Sequence, residues 1–284
     1  MASMRRRCEL LASSIIGSSV ISSVWERKFR TFFGMSITGT VVLWQKLLIS
    51  LAGQHVPFSF IHLLMALYFL KIYPLEEVAA ATFKVTEKTY RKWIWILIER
   101  IRRLDLIDFD DRYENWTHRS ACCTLDGTDC KIDEHHPFNK AYFSHKLNHA
   151  GLRYEIAMAL GTSKILWWNG GVPCGAHPDL VLAQSGFTKM LDEDEQALAD
   201  KGYRGCRQFS TPFGDPQTQY ARTFNRQHKR IMARSETVNK RIKHFAVLRS
   251  WRHKSDELHC KCFGAIMQIT QIMLSEQPSM DLWL

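Results

Sequence analysis

The chain has 284 residues, a length that suits about two domains, and a hydrophobic share of 46% that supplies an ordinary globular core. Its eight cysteines, at 8, 122, 123, 130, 174, 206, 260 and 262, form no Cys-x-x-Cys pair and no regular framework, which argues against a disulfide-built secreted fold and for a reducing compartment. The net charge of +10 is local: residues 201–254 hold 14 Lys and Arg against Asp215 and Glu236, whereas the rest of the chain holds 24 basic and 26 acidic residues. A basic block of this kind points to a polyanionic partner, most simply nucleic acid; a solvated charged surface is the plain alternative.

Residues 1–24 begin with Arg5-Arg6-Arg7 and continue Ser-rich and poor in acids, and they are treated as a poorly determined leader. Residues 25–104 read as helical, with apolar residues at three-to-four spacing through 41–51, 61–72 and 90–101 and breaks at Gly53, Pro57 and Pro74. The apolar run 58–70 is too short for a bilayer crossing and meets Lys71, so a buried helix is expected and no membrane association. Within this region, Leu75 to Trp93 resembles a helix-turn-helix: a small-residue helix, a short turn, then Thr86 as N-cap of a second helix carrying Lys88, Arg91 and Lys92. A plain helical hairpin of the scaffold fits the same pattern. Residues 105–119 are acidic and irregular and read as a linker.

The run 121–125 is small and apolar and ends in Asp126-Gly127, so the pattern places a carboxylate where a strand meets its turn. A polar stretch follows to His149, then two strand-like runs, 153–160 and 164–168, before Asn169-Gly170-Gly171 is expected to turn the chain. With the first run they make a three-stranded antiparallel unit. A helix is expected from Cys174 through Met190, with Pro178 near its first turn. The short run 197–199 delivers Asp200, again followed by Lys-Gly, and a long basic helix is expected from about Tyr220 to Leu248. On it Val238, Ile242 and Phe245 share one face, and Glu236, Lys240 and Lys243 the opposite one. An amphipathic helix over 256–274 closes the chain, and 277–284 is a tail.

Asp126, Asp200 and Glu236 stand apart from the other acids because two end apolar runs and the third sits among basic neighbours. Three carboxylates on three elements suit a two-metal phosphoryl-transfer site, since hard divalent ions take oxygen ligands. Turn caps or partners of arginines would explain the same spacing. Asp129, Asp133 and Glu134 read as loop acids, and 192–195 as a solvated run.

The words Leu125-Asp-Gly-Thr-Asp129, Gly170-Gly-Val-Pro-Cys-Gly-Ala-His-Pro-Asp179, Leu198-Ala-Asp-Lys-Gly-Tyr-Arg-Gly205, Asn225-Arg-Gln-His228 and Arg234-Ser-Glu-Thr-Val-Asn-Lys-Arg-Ile-Lys-His-Phe245 together resemble the DDE-superfamily endonucleases of the Harbinger-type transposases. Phe32-Phe-Gly-Met-Ser36 and the helical segment are similar to what precedes the nuclease there, so the likeness covers roughly residues 25–275. The resemblance implies an α/β fold, an RNase H-like mixed sheet flanked by helices over 120–276, preceded by the all-α helix-turn-helix-like region. It implies Asp126, Asp200 and Glu236 as catalytic metal ligands, with Asp126 bridging two ions, and Asp179 as a further metal ligand. The sequence departs from the family where Pro178 separates His177 from Asp179 and where Asp129 replaces a common histidine. The expected cofactor is Mg²⁺, with Mn²⁺ able to substitute, and the expected substrate is double-stranded DNA, cut by two-metal phosphodiester cleavage, with strand transfer after the cut left open by the sequence. Lys201, Arg204, Arg222, Arg226, Lys229, Arg230, Lys240 and Lys243 would hold phosphates. A separate Myb-like DNA-binding helper protein, a homodimer and a nuclear location complete the expectation. A transposase-derived DNA-binding protein without catalysis is the rival.

Overall fold

The computed structural model describes residues 2–21, 23–52, 55, 57–117 and 121–278. Two compact units divide the chain: Met1–Leu106 with Ile242–Arg249 and Lys261–Glu276, and Ile107–Arg241 with Ser250–Cys260 and Gln277–Leu284. These contact-defined units take segments from both ends of the sequence into the first, a division that no local pattern marks.

The first unit holds α1 (Ala2–Ile16), α2 (Trp25–Phe33), α3 (Ile37–Ile49), α4 (Phe60–Ile72), α5 (Glu76–Phe83) and α6 (Glu87–Arg102). Helix α4 is apolar on every side, and its residues Leu63 to Leu70 are all buried, as expected of a helix at the centre of a helical core. Ser36 caps α3 by accepting from Gly39 N at 2.8 Å and donates its own hydroxyl to Glu276 at 2.6 Å. The stretch read as a leader contains α1, whose Cys8 and Ala12, four residues apart, are buried. Between α5 and α6 the chain turns through Lys84 at φ 55°, and Thr86 caps α6 by accepting from Thr89 N at 3.2 Å. Among the described residues no single helix is long and apolar enough to cross a membrane.

The second unit is built on β1 (Cys123–Lys131), β2 (Phe143–Ser144), β3 (His149–Ala159), β4 (Ile165–Pro173), β5 (Ala197–Ala199) and β6 (Phe209–Ser210), with α7 (Asp179–Ser185) and the long α8 (Gln219–Ile242). A last helix, α9 (Asp256–Glu276), follows. The sheet runs β2-β3-β1-β5-β6, with β4 also on β3; β1, β3 and β4 are antiparallel, and β1, β5 and β6 are parallel. This is a mixed sheet flanked by helices. Cys123, Leu125, Ala157, Ala159, Ala197 and Ala199 from its central strands pack with Phe187, Tyr203 and Phe209 in the core.

Several expectations change here. Asp126-Gly127 does not end its strand: β1 runs on to Lys131, and Gly127 pairs with Glu155 inside the sheet. Glycine is needed there because a Cβ would lie 2.8 Å from Asp179 Oδ1. Asn169-Gly170-Gly171 is not a turn either but part of β4, where Gly170 (φ 127°) and Gly171 (φ 81°) absorb a register shift. The helix expected over 174–190 shrinks to α7 and a short 3-10 turn at Phe187–Lys189. Helix α8 stops at Ile242, so Lys243 lies just beyond it. Asp129 is buried in β1 rather than in a loop, bound by Arg153 and Ser144. Glu195, read as solvated, is buried and accepts from Arg112 Nε at 2.9 Å.

Candidate active site

The parallel register sets Leu125 opposite Ala199, so Asp126 on β1 and Asp200 after β5 emerge side by side from neighbouring strands. Helix α8 packs across the face of β1 from which Thr124 and Asp126 project. Ser235 Oγ meets Thr124 Oγ1 at 2.9 Å, and Asn239 Nδ2 donates to Asp126 Oδ2 at 2.7 Å. The spacing follows from geometry: four helical residues rise about 6 Å, close to the advance of two strand residues. Glu236, one step round the helix from Ser235, is left facing outward and pairs with Lys240 at 3.0 Å. Asp126, Asp200 and Glu236 all line one open cleft of about 700 Å³.

Asp179, the first residue of α7, joins them from the other side. Its two carboxylate oxygens lie 2.8 Å from where a Cβ on Gly127 would stand and 3.4 Å from the same point on Gly202. Arg153 directs it: the guanidinium reaches Asp179 Oδ1 at 3.2 Å, Asp129 at 2.9 and 3.0 Å and the His177 carbonyl at 3.0 Å. Burial pushes the Asp126 carboxyl up to about 6, reinforced by the charges of Asp200 and Asp179 and opposed by Lys146 and a backbone N–H. Asp179 is also raised, by burial first and by Asp129 and Asp200, with Arg153 opposing.

A family model described as DDE superfamily endonuclease matches residues 125–274, just over half of the chain. The chain belongs to the DDE superfamily endonucleases. No curated protein and no solved structure matches it. The matched span begins beside Asp126 and contains Asp179, Asp200 and Glu236. An endonuclease domain implies DNA as its substrate, and DDE endonucleases generally work with divalent metals.

Among the described residues of this DDE endonuclease, no three His, Cys, Asp or Glu side chains converge tightly enough to hold a metal ion. The donor set still fits a hard divalent cation in kind. It consists of carboxylate oxygens only, and the half-buried Asp126 feels the charges of Asp179 and Asp200, whose repulsion a cation would relieve.

The expected phosphate-binding residues divide. Lys201 and Lys229 line the cleft, and Arg226 and Arg230 are exposed along α8. Arg204 is engaged by the Pro212 carbonyl at 2.6 Å, Arg222 by the Gln217 carbonyl at 2.8 Å and Lys240 by Glu236. Lys88, Arg91 and Lys92 lie exposed on α6 in the helical unit, where Arg91 binds Glu76 at 2.8 Å and Lys92 sits 5.0 Å over the Trp93 ring.

Five side chains beside the carboxylates had no role in the sequence reading. Asn239 sits three residues after Glu236 and was findable from helical spacing. Glu155, a charged residue in an apolar strand, also left a trace. It is fully buried, accepts from the Tyr203 hydroxyl at 3.0 Å, and its Oε2 has no hydrogen-bond partner among the described residues. Lys146 and Arg153 left none, and His228 stood in the word Asn225-Arg-Gln-His228 without a role of its own. His228 is buried, its pKa lowered chiefly by burial, and bonds the Ala199 carbonyl at 3.0 Å next to Asp200.

Proposed function

We propose that the chain is a metal-dependent DNA endonuclease of the Harbinger-type transposase class. The observation that supports this reading is that Asp126, Asp200 and Glu236, from three separate elements, line one cleft together with Lys201 and Lys229, while Asp179 lies close to Gly127 and Gly202 beside it. Asp126, Asp200 and Glu236, with Asp179 beside them, would hold Mg²⁺ or Mn²⁺; bound there, the ions would activate the attacking oxygen and neutralise charge on the phosphate and the leaving group.

The chain's own residues prepare that chemistry. Asn239 fixes the Asp126 carboxylate and Arg153 aims Asp179. Lys201 and Lys229 draw the phosphate backbone into the cleft. His228, held neutral by burial, ties α8 to the end of β5 and so sets the distance between Asp200 and Glu236. Attack comes from water or a DNA 3′-hydroxyl in line with the leaving oxygen, and no protein nucleophile takes part. Use of the 3′-hydroxyl would make the enzyme a strand-transferring transposase, acting on nuclear DNA beside a Myb-like helper protein, as a homodimer, with α6 adding a DNA contact.

The test is incubation of supercoiled plasmid with the purified chain in Mg²⁺ or Mn²⁺ and in EDTA, beside a small chromogenic phosphate ester. The expected result is nicked or linear plasmid with metal only, and an untouched ester. Ester hydrolysis would indicate a phosphatase. DNA binding without cleavage in either metal would favour the non-catalytic rival.

A further inference from the structure

The cleft that holds the carboxylates is also lined by an apolar segment after β6: Pro212, Phe213, Gly214 and Pro216. That segment has been fastened with care. Asn225 on α8 accepts from Phe213 N at 2.9 Å and donates to Phe213 O at 3.0 Å, and Arg204 Nη2 donates to Pro212 O at 2.6 Å. Phe213, thus held, is 43% exposed. Its aromatic neighbours Phe224 and Tyr220 meet it at steep angles, with centroids 5.4 and 6.2 Å away, so neither stacks on it. Tyr220 is itself 73% exposed.

Three hydrogen bonds to the backbone of Pro212 and Phe213 hold in place a partly exposed aromatic residue whose ring meets its neighbours only edge-on. Its surroundings specify what it fits: Lys201 and Lys229 line the same cleft for anionic groups, and so do the carboxylates at which a phosphodiester would be cut. A ligand with a flat π face next to a phosphate is a nucleotide. Bases inside a duplex are already stacked and offer no face, so the occupant must be unpaired. Building on the nuclease reading above, we propose that Phe213 is a stacking platform for an unpaired base of the DNA substrate, next to the phosphate at the carboxylates.

The experiment uses the full chain in EDTA, with a fully paired oligonucleotide and a forked one of the same sequence carrying 2-aminopurine at the junction. Wild type is expected to bind the fork on the order of tenfold tighter than the duplex and to quench the 2-aminopurine on binding. Phe213→Ala and Phe213→Leu should lose both the preference and the quenching while keeping duplex affinity and thermal midpoint. Phe213→Trp should retain them, since leucine preserves apolar packing and only tryptophan preserves a flat ring. A fork preference unchanged in Phe213→Ala and Phe213→Leu, or absent in wild type, overturns the platform. If wild type then still cleaves plasmid, the nuclease reading stands without it; if wild type binds neither DNA, both fall.

Discussion

Glu155 is wholly buried in β3, and burial pushes its carboxyl up to about 8, with Asp179 adding to the effect and the Tyr203 hydroxyl and Arg153 opposing it. A carboxyl raised in this way contributes stability fully below its unfolded value near 4.5, and the contribution is lost as pH rises through about 8. Glu155→Gln keeps the shape and removes the titration. It should therefore match wild type below pH 4.5 and be the more stable protein at pH 8 and above, which thermal midpoints across pH will check. Arg153 presents the opposite case: it and Asp129 are a buried pair, with side chains 13% and 2% exposed. Arg153→Ala should cost about 3–5 kcal/mol in urea unfolding, because it strands the Asp129 charge. At this scale the sequence displays its acids but not their partners. Asp126 and Asp200 stand out by following apolar runs, whereas Arg153 lies 24 residues from Asp129 and reaches it only through strand register.

The elements bring these groups together through spacing. Ser235 and Asn239 on α8 match Thr124 and Asp126 on β1, and the absent Cβ of Gly127 lets Asp179 approach that strand. Gly127→Ala should push Asp179 aside, since the obstacle is a movable carboxylate, and lower cleavage roughly tenfold with the fold intact, measured as plasmid nicking beside circular dichroism. Gly170→Ala is different. Its φ of 127° and the Arg153 carbonyl 2.3 Å from the added Cβ leave nothing that can yield, so β4 should detach from β3 and the protein lose cooperative unfolding. Both glycines read as turns in the sequence because Asp-Gly and Asn-Gly-Gly carry the composition of hairpins. The pattern cannot reveal that a neighbour, rather than a bend, demands the missing side chain. Parts of β1, β3, β4 and β5 and most of α8 were legible from apolar runs, alternation and helical spacing, as was the N-cap at Thr86, whereas the two-residue strands β2 and β6 were not.

For the whole molecule, charge decides how substrate arrives. The basic excess is concentrated in 201–254, and Arg226, Lys229 and Arg230 are exposed on α8. Replacing all three by alanine should make the dependence of log affinity on log salt shallower by about 0.9 for each, in fluorescence-anisotropy titrations. That basic segment could be read directly from the sequence, but the two compact units could not, since 242–249 and 261–276 join residues more than a hundred positions earlier. The central claim concerns the acids around the cleft, and plasmid cleavage by wild type and Asp126→Asn in Mg²⁺, with matched circular dichroism and DNA affinity, tests it most directly. The account predicts nicking by wild type that vanishes in the folded, DNA-binding variant. Undiminished nicking by Asp126→Asn would contradict it.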